Sequence, residues 1–357
     1  MDVAAFCNRI TPWWHPAYPD VLWRALHRCR VGKFEPAEAF RLGLFQPHID
    51  GENSVSYISR RGLTKIQEAL NPAEHAPILK NKDLFYRRCM AMEVPIPRLY
   101  AVTGPPADAW SYSGQPPQTR DEWVAFLDNH LPSEFVAKPV TGAYGHGFNY
   151  FRRVQMGYQD AFGKFLDTSM LYNALASGNR FIIQERLYNH PALVRLSDTE
   201  SLQTIRCITL AGDRGDVRIL HAHLKIIDAN QIVDTFLDGL TGNVEAPIEL
   251  ASGTLKSANR VPGTGAPVVR LDVHPKTRVE FSGIQLPFWA KACDLAREVA
   301  TRFVPVRTIG WDIALTPEGP VVLEGNIWWD PPNQHGCMRT LVEALTDRCG
   351  GGAKPAR

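Results

Sequence analysis

Asp312, Glu324 and Asn326 are the residues in this 357-residue chain whose types and spacing most directly suggest chemistry. They lie in GWDIALTPEGPVVLEGNIWWD, from Gly310 to Asp330. Trp311 to Thr316 and Pro320 to Asn326 are both rich in strand formers. Pro317-Glu318-Gly319 between them has the residue types of a tight turn. A three-residue loop sets Thr316 opposite Pro320 and, counting back, Asp312 opposite Glu324. Asn326 follows two residues later and projects from the same side. Ile313, Leu315, Val321 and Leu323 are left to fill the opposite face as core. Facing Cβ atoms sit about 5 Å apart, so two carboxylates there repel unless a cation lies between them. Hard oxygen ligands on a rigid ladder suit Mg²⁺. A solvated polar face also tolerates an acidic pair, but the apolar flanks argue for a buried hairpin that needs a cation.

The other candidates are mostly cationic. Lys138 ends the strand-like Glu134 to Lys138, and Thr141 to Gly147 follows with three glycines in seven residues. A glycine loop inside a hairpin can lay backbone N–H groups over phosphates. It is not a Walker loop, which needs a following Lys-Ser/Thr and helix. Such loops are commonly plain turns. Lys138 sharpens the reading, because a lysine on an apolar strand must find an anion or reach solvent. Residues 181 to 187, FIIQERL, form an apolar strand carrying Gln184 and Glu185, broken by Asn189-His190-Pro191. A polar break at a buried strand end can offer backbone groups to a planar base. In QTIRCITL, Thr204 and Arg206 share a face with Ile208. No acidic residue lies within three positions of Arg206, so its guanidinium is expected to seek an external anion; the alternative is a salt bridge to a distant carboxylate. His221, His223 and Lys225 share a face of VRILHAHLKI. Two histidines at that spacing can bind a metal, but no third ligand stands nearby, and they read as a polar sheet face.

Several elements must position these groups. Residues 1–75 look mostly helical: Asp20 can cap a helix from Val21 to Cys29, Pro36 starts another, and a third near Leu63 to Leu70 stops at Asn71-Pro72. Trp13, Trp14 and Trp23 read as packing anchors, and this segment shows no chemistry. Asn81 caps a helix that ends before Pro95. A Pro/Gly/Ser loop over 104–118 precedes a helix from Asp121 to Asn129. Residues 228–265 read as loop-rich. Pro287 to Phe303 carries a helical apolar stripe, and Met338 to Asp347 reads as the last helix. The expected divisions are 1–75, 76–180 and 181–348, with a disordered tail over 349–357. The chain is 45% hydrophobic and 21% charged with net charge +2, which is globular and gives no argument for nucleic acid or a membrane surface. No stretch has the apolar length of a membrane span, and the start lacks a basic leader. Seven scattered cysteines suggest neither a zinc site nor a disulfide framework but thiols in a reducing cytoplasm.

Taken in order, LKNKDLF, FVAKPVTGAYGHG, LQTIRCITL and GWDIALTPEGPVVLEGN resemble the ATP-grasp superfamily, and more narrowly its sugar-transfer-associated group, over roughly residues 60–345. The resemblance implies an α+β fold in which two α+β subdomains sandwich ATP, preceded by a helical N-terminal region. It implies Lys82 and Lys138 on the α- and β-phosphates. The loop Ala143, Tyr144, Gly145, His146 and Gly147 would cover the β- and γ-phosphates, and Gln184, Glu185, Arg186 and Leu187 would form the hinge against adenine. Asp312, Glu324 and Asn326 would hold one or two Mg²⁺ ions, with Mn²⁺ as a substitute. Arg206 would face the transferred phosphoryl group or the acyl intermediate. The acidic ribose contact usual just past the hinge is not obvious, because Asn189 and His190 stand there. The activity implied is ATP-dependent joining of a small-molecule or saccharide-linked carboxylate to an amine or hydroxyl through an acyl phosphate, releasing ADP and phosphate. A phosphotransferase on the same scaffold and a nucleotide-binding module without turnover are the alternatives.

Overall fold

Period-two alternation in two antiparallel sheets decides which side chains of this chain meet. The computed structural model describes residues 23, 27, 29–42, 44, 57–105, 107–176, 178–213, 215–228, 231–262, 267–332, 335 and 338–347. The described helices are α1 (Pro36–Arg41), α2 (Arg60–Leu70), α3 (Ala76–Lys80), α4 (Lys82–Ala91), α5 (Arg120–Asn129), α6 (Thr168–Leu175), α7 (Pro191–Ser197), α8 (Trp289–Arg302) and α9 (Arg339–Thr346). The first sheet joins β1 (Leu99–Val102), β2 (Trp110–Ser111), β3 (Glu134–Pro139), β4 (Asn149–Val154), β5 (Gly157–Asp160), β6 (Phe165–Leu166) and β7 (Phe181–Glu185) in the order β2-β1-β7-β3-β4-β5-β6. The second joins β8 (Thr204–Ala211), β9 (Val217–Ile226), β10 (Val244–Pro247), β11 (Ala258–Arg260), β12 (Val269–Leu271), β13 (Thr308–Thr316) and β14 (Gly319–Asn326) in the order β12-β11-β10-β9-β8-β13-β14.

On the first sheet, Phe135 and Ala137 of β3 and Ile183 of β7 turn to one face, where Trp123, Phe126 and Leu127 of α5 and Leu171 and Leu175 of α6 cover them. Alternation therefore sends Val136, Lys138 and Gln184 to the other face. On the second sheet, Ile309, Trp311, Ile313 and Leu315 of β13 pack with Ala292, Ala296 and Val299 of α8 and with Phe85 and Tyr86 of α4. Trp311 is fully buried and its indole N–H donates to Thr209 Oγ1 at 2.9 Å. The opposite face of that sheet is only partly covered. Ile208 and Leu210 pack with Leu63 and Leu70 of α2 and Leu341 and Leu345 of α9. The polar residues further along β8, β9, β10, β13 and β14 are left facing the first sheet.

The hairpin differs from expectation in an instructive way. Its loop has two residues, so Thr316 pairs with Gly319 and Leu315 with Pro320. Thr316 Oγ1 closes the turn, donating to the Gly319 carbonyl at 2.9 Å. A bulge then restores the register: Ile313 pairs with Val322 but Asp312 with Glu324, leaving Leu323 as the extra residue. The Tyr86 hydroxyl holds that bulge by donating to the Leu323 carbonyl at 3.0 Å. Asp312 thus faces Glu324 as read, by two single-residue departures that cancel. The core residue on β14 is Val322, while Val321 and Leu323 are half-buried.

Other boundaries shift. The strand Phe181–Glu185, expected to open the region 181–348, lies inside the first sheet between β1 and β3. The region read as loop-rich over 228–265 contains β10 and β11. In the first 75 residues, α1 and α2 form where expected, and Ser59 caps α2 through Gly62 N. Trp23 is exposed rather than a packing anchor. Trp13, Trp14, Asp20 and the tail 349–357 lie outside the described residues. Among the described residues no helix is long and apolar enough to cross a membrane.

Candidate active site

A cavity of about 780 Å³ lies between the open faces of the two sheets, within the range of small-molecule sites. Its second-sheet wall is a network of ions. Asp312 pairs across the ladder with Arg206, whose Nε and Nη2 donate to Oδ1 and Oδ2 at 2.6 and 3.2 Å. Lys225 Nζ lies 3.1 Å from Asp312 Oδ2 and 3.1 Å from Asp234 Oδ1. Thr204 donates to Asp234 Oδ2 through its backbone N–H at 2.9 Å and its hydroxyl at 2.5 Å. Burial alone would raise the Asp312 pKa; the Arg206 and Lys225 charges override it and hold the carboxyl well below its usual range. Asn326 Nδ2 lies 3.4 Å from Asp312 Oδ2 and 3.3 Å from Glu324 Oε1, so the three oxygen-bearing side chains converge. Of the two readings of Arg206, the salt bridge to a distant carboxylate is present: its partner, Asp312, is 106 residues away in sequence and adjacent across the strands.

The first-sheet wall is different in kind. Lys138 Nζ donates to the Tyr86 hydroxyl at 2.9 Å, and among the described residues no carboxylate lies within 4 Å of it. Burial pushes the Lys138 pKa down to about 7. Tyr86 stands one turn after Lys82 on α4, which Asn81 caps. Lys82 Nζ donates to the Gly142 carbonyl at 2.8 Å, tying the start of α4 to the glycine loop. Ala143, Tyr144, Gly145 and His146 line the cavity. At Gly145, φ is +72° and an added Cβ would come within 3.0 Å of Val233, so the loop meets the 231–236 segment that connects β9 to β10. Gly147 does not line the cavity but packs against Pro139. Gln184 is buried with Oε1 lacking a hydrogen-bond partner. Glu185 accepts from Arg98 N at 3.0 Å. Arg186 is buried over the Tyr150 ring at 4.1 Å and beside Glu134 at 3.3 Å. Gln184, Glu185, Arg186 and Leu187 all line the cavity.

Several lining residues were not legible as such. Glu38 and Arg41 of α1 and Arg60 of α2 border the cavity, so the N-terminal segment read as free of chemistry contributes to its wall. Arg60 pairs there with Asp330 at 2.8 Å. Glu200, past the short helix α7, lines the cavity 3.6 Å from Arg186. His221 and His223 gain a third histidine, His335, from a segment beyond the hairpin.

The profile of the family described as sugar-transfer associated ATP-grasp matches residues 63–334. The chain belongs to that family. The ATP-grasp fold, α+β with helices ahead of the paired sheets, is accordingly the fold described above. Among solved structures, a biotin carboxylase from Campylobacter jejuni is similar at 10% identity over 86% of this chain and 54% of that one, with a TM-score of 0.45. A D-alanine–D-alanine ligase from Bacillus anthracis is similar at 10% identity over 77% of this chain and 68% of that one, TM-score 0.39. An L-amino acid ligase from Bacillus licheniformis is similar at 12% identity over 71% of this chain and 41% of that one, TM-score 0.36. The chain spans about half the length of the first two biotin carboxylase structures it matches, 54% and 51%. A search of curated proteins finds no match.

The residues of this ATP-grasp chain fit the metal such a fold implies. Two carboxylates and an amide converge within hydrogen-bonding distance of one another, and a half-turn of the Asn326 amide presents its oxygen. That all-oxygen donor set suits Mg²⁺. Among the described residues the Gln184 oxygen is left for a hydrogen-bond donor and the buried Lys138 for an anion, which fits a ligand carrying both.

Proposed function

We propose that the chain is an ATP-dependent ligase that activates a carboxylate as an acyl phosphate and passes the acyl group to an amine or hydroxyl, releasing ADP and phosphate. The observation that carries this reading is the convergence of Lys82, Lys138, Arg206, Asp312, Glu324 and Asn326 on one cavity between the sheets. Phosphoryl transfer needs positioning and charge neutralisation rather than a protein nucleophile. Lys82 and Lys138 hold the α- and β-phosphates. The backbone of Ala143 to Gly147 covers the β- and γ-phosphates, with Gly147 acting through its turn against Pro139. Gln184 to Leu187 meet adenine, the Gln184 oxygen accepting from its amino group. Glu200 takes the ribose hydroxyls. Asp312, Glu324 and Asn326 hold one or two Mg²⁺ ions, with Mn²⁺ as the alternative; the metal, when bound, neutralises phosphate charge. Arg206, released from part of its pairing with Asp312, stabilises the phosphoryl group in flight. The loop over Val233 excludes water, which otherwise hydrolyses an acyl phosphate.

The test couples ADP release to pools of small-molecule and saccharide-linked carboxylates with amines and alcohols. Phosphate released in step with an amide or ester product supports ligation. A phosphorylated acceptor with no free phosphate makes the protein a phosphotransferase. ATP binding with no turnover on any pool makes it a nucleotide-binding module.

A further inference from the structure

Beside the Arg206–Asp312 pair, the second sheet carries a cluster that phosphoryl transfer does not use. We propose that His221, His223 and His335 form a binding site for a divalent transition metal of the zinc class, separate from the Asp312–Glu324–Asn326 set. One ring nitrogen of each histidine lies within 4.8 Å of one from each of the others. His221 Nε2 and His335 Nδ1 face each other at 2.9 Å, and the ring centroids stand 4.6 to 5.4 Å apart. A tetrahedral ion with bonds of about 2.0–2.1 Å holds its nitrogen donors about 3.3 Å apart, so small ring movements close the site.

The surroundings select the donor atoms. Glu245, on the same face of β10, places Oε1 3.5 Å from His223 Nε2 and Oε2 3.6 Å from His335 Nε2. Metal-ligating histidines typically direct their second ring nitrogen to a carboxylate, which fixes tautomer and orientation. With Nε2 of both rings turned to Glu245, Nδ1 of each is left for the metal. His335 Nδ1 is the atom facing His221. His223 is 5% exposed and its Nδ1 is buried with no hydrogen-bond partner. Two histidines two residues apart on a strand are held rigidly, and His335 is fixed from a different segment, its N–H donating to the Pro332 carbonyl at 3.0 Å. Imidazole nitrogens favour zinc, cobalt, nickel or copper, whereas Mg²⁺ favours the oxygens of the neighbouring set. Three protein nitrogens leave a fourth position for water.

The experiment uses tag-free full-length protein, stripped with a chelator and titrated with Co²⁺ and then Zn²⁺ alone. Expected are one equivalent of cobalt with the visible bands of a low-symmetry nitrogen-ligated ion, and displacement by zinc with a Kd below about 1 μM. His335→Gln and His221→Gln, shown folded by circular dichroism, each weaken zinc binding about 100-fold or more. Glu245→Gln weakens it about 10-fold or more. Glu324→Gln leaves zinc affinity unchanged. No cobalt bands, zinc affinity unaltered in both folded histidine variants, or an equal loss in Glu324→Gln each overturn the proposal. If both histidine variants misfold, the cobalt spectrum and stoichiometry of the native protein decide it alone.

Discussion

On the first-sheet side of the cavity, among the described residues, Lys138 Nζ hydrogen-bonds to a phenol and the Gln184 oxygen has no hydrogen-bond partner. Across the cavity, Arg206, Lys225, Asp312 and Asp234 already pair with one another. Both walls are buried and polar, and the difference lies in what each lacks. The first wall carries a desolvated amine whose charge an incoming anion would stabilise. On the second, Arg206, Lys225, Asp312 and Asp234 are mutually paired, so a metal or phosphate that engages them must compete with existing pairs. A ligand therefore gains most from the first wall and is selected by the second, where exchange of partners gives a handle for catalysis rather than for affinity.

The largest expected effect comes from breaking the pairs of the second wall. Asp312→Asn removes a proposed metal ligand and a carboxylate partner of both Arg206 and Lys225. Turnover should fall at least about a thousandfold, and stability should drop by about 3 kcal/mol, as when one partner of a buried ion pair is lost. Glu324→Gln removes a ligand without stranding a cation, so it should lose comparable activity with little change in Tm. Equal Tm losses in the two variants would erase the contrast between them. Arg206 comes next. Arg206→Met should cost about a hundredfold in kcat, more than it changes KM for ATP. Arg206→Lys should recover most of the Tm but little of the rate, because an ammonium can pair with Asp312 but lacks the planar fork needed to reach Asp312 and the phosphoryl oxygens together. Activity lost only in proportion to Tm would reduce Arg206 to a structural partner.

Lys138 tests the first wall. Its pKa is about 7 in the folded chain and near 10.4 when unfolded. Between those values the unfolded chain holds more protons, so stability rises with pH. The penalty for burying Lys138 is thus fully present below about pH 7 and fades toward pH 10.5. Lys138→Met should weaken ATP binding about 100-fold while leaving Tm at pH 7 unchanged or higher, the gain shrinking as pH rises. In the native protein, phosphate beside the amine should restore its charge. ATP binding at pH 8, followed by calorimetry in buffers of different ionisation enthalpy, should then take up close to one proton. No proton uptake, or a Tm loss of several degrees, would mean that Lys138 is not waiting for an anion.

The same contrast explains what the sequence made legible. Local alternation marks side, so Asp312, Glu324, Asn326, Arg206 and Lys138 could be placed on strand faces from spacing alone. Pairing across strands is not local. The sequence leaves the partner of Arg206 open because Asp312 is 106 residues away, and the pairing of Lys225 with Asp312 and Asp234 is hidden for the same reason. The bulge at Leu323 depends on Tyr86, 237 residues earlier, and no residue type near the turn announces it. Glu245 was missed because β10 sits in a stretch whose glycines and asparagine read as loop. His335 has no spacing signal relative to His221 and His223; only the fold brings it to them.

The smallest effect concerns the wall between these extremes. The sequence offered no acidic ribose contact after the hinge, because Asn189 and His190 stand there. In the structure α7 intervenes after Asn189 and His190, and the chain returns to the cavity with Glu200, the proposed ribose contact. Its carboxylate is mostly exposed and lies 3.6 Å from the buried Arg186, whose guanidinium orients it loosely. An exposed carboxylate accepting from two ribose hydroxyls contributes little net energy, because water competes for the same bonds. Glu200→Gln should therefore raise KM for ATP only about three- to tenfold and leave kcat nearly unchanged, since the ribose does not change during phosphoryl transfer. The sharper readout is the sugar itself. Native protein should prefer ATP over 2′-deoxy-ATP by a similar factor, and Glu200→Gln should lose that preference while binding 2′-deoxy-ATP about as before. A preference retained in the variant would place the ribose elsewhere on the hinge and leave Glu200 as a partner of Arg186 alone.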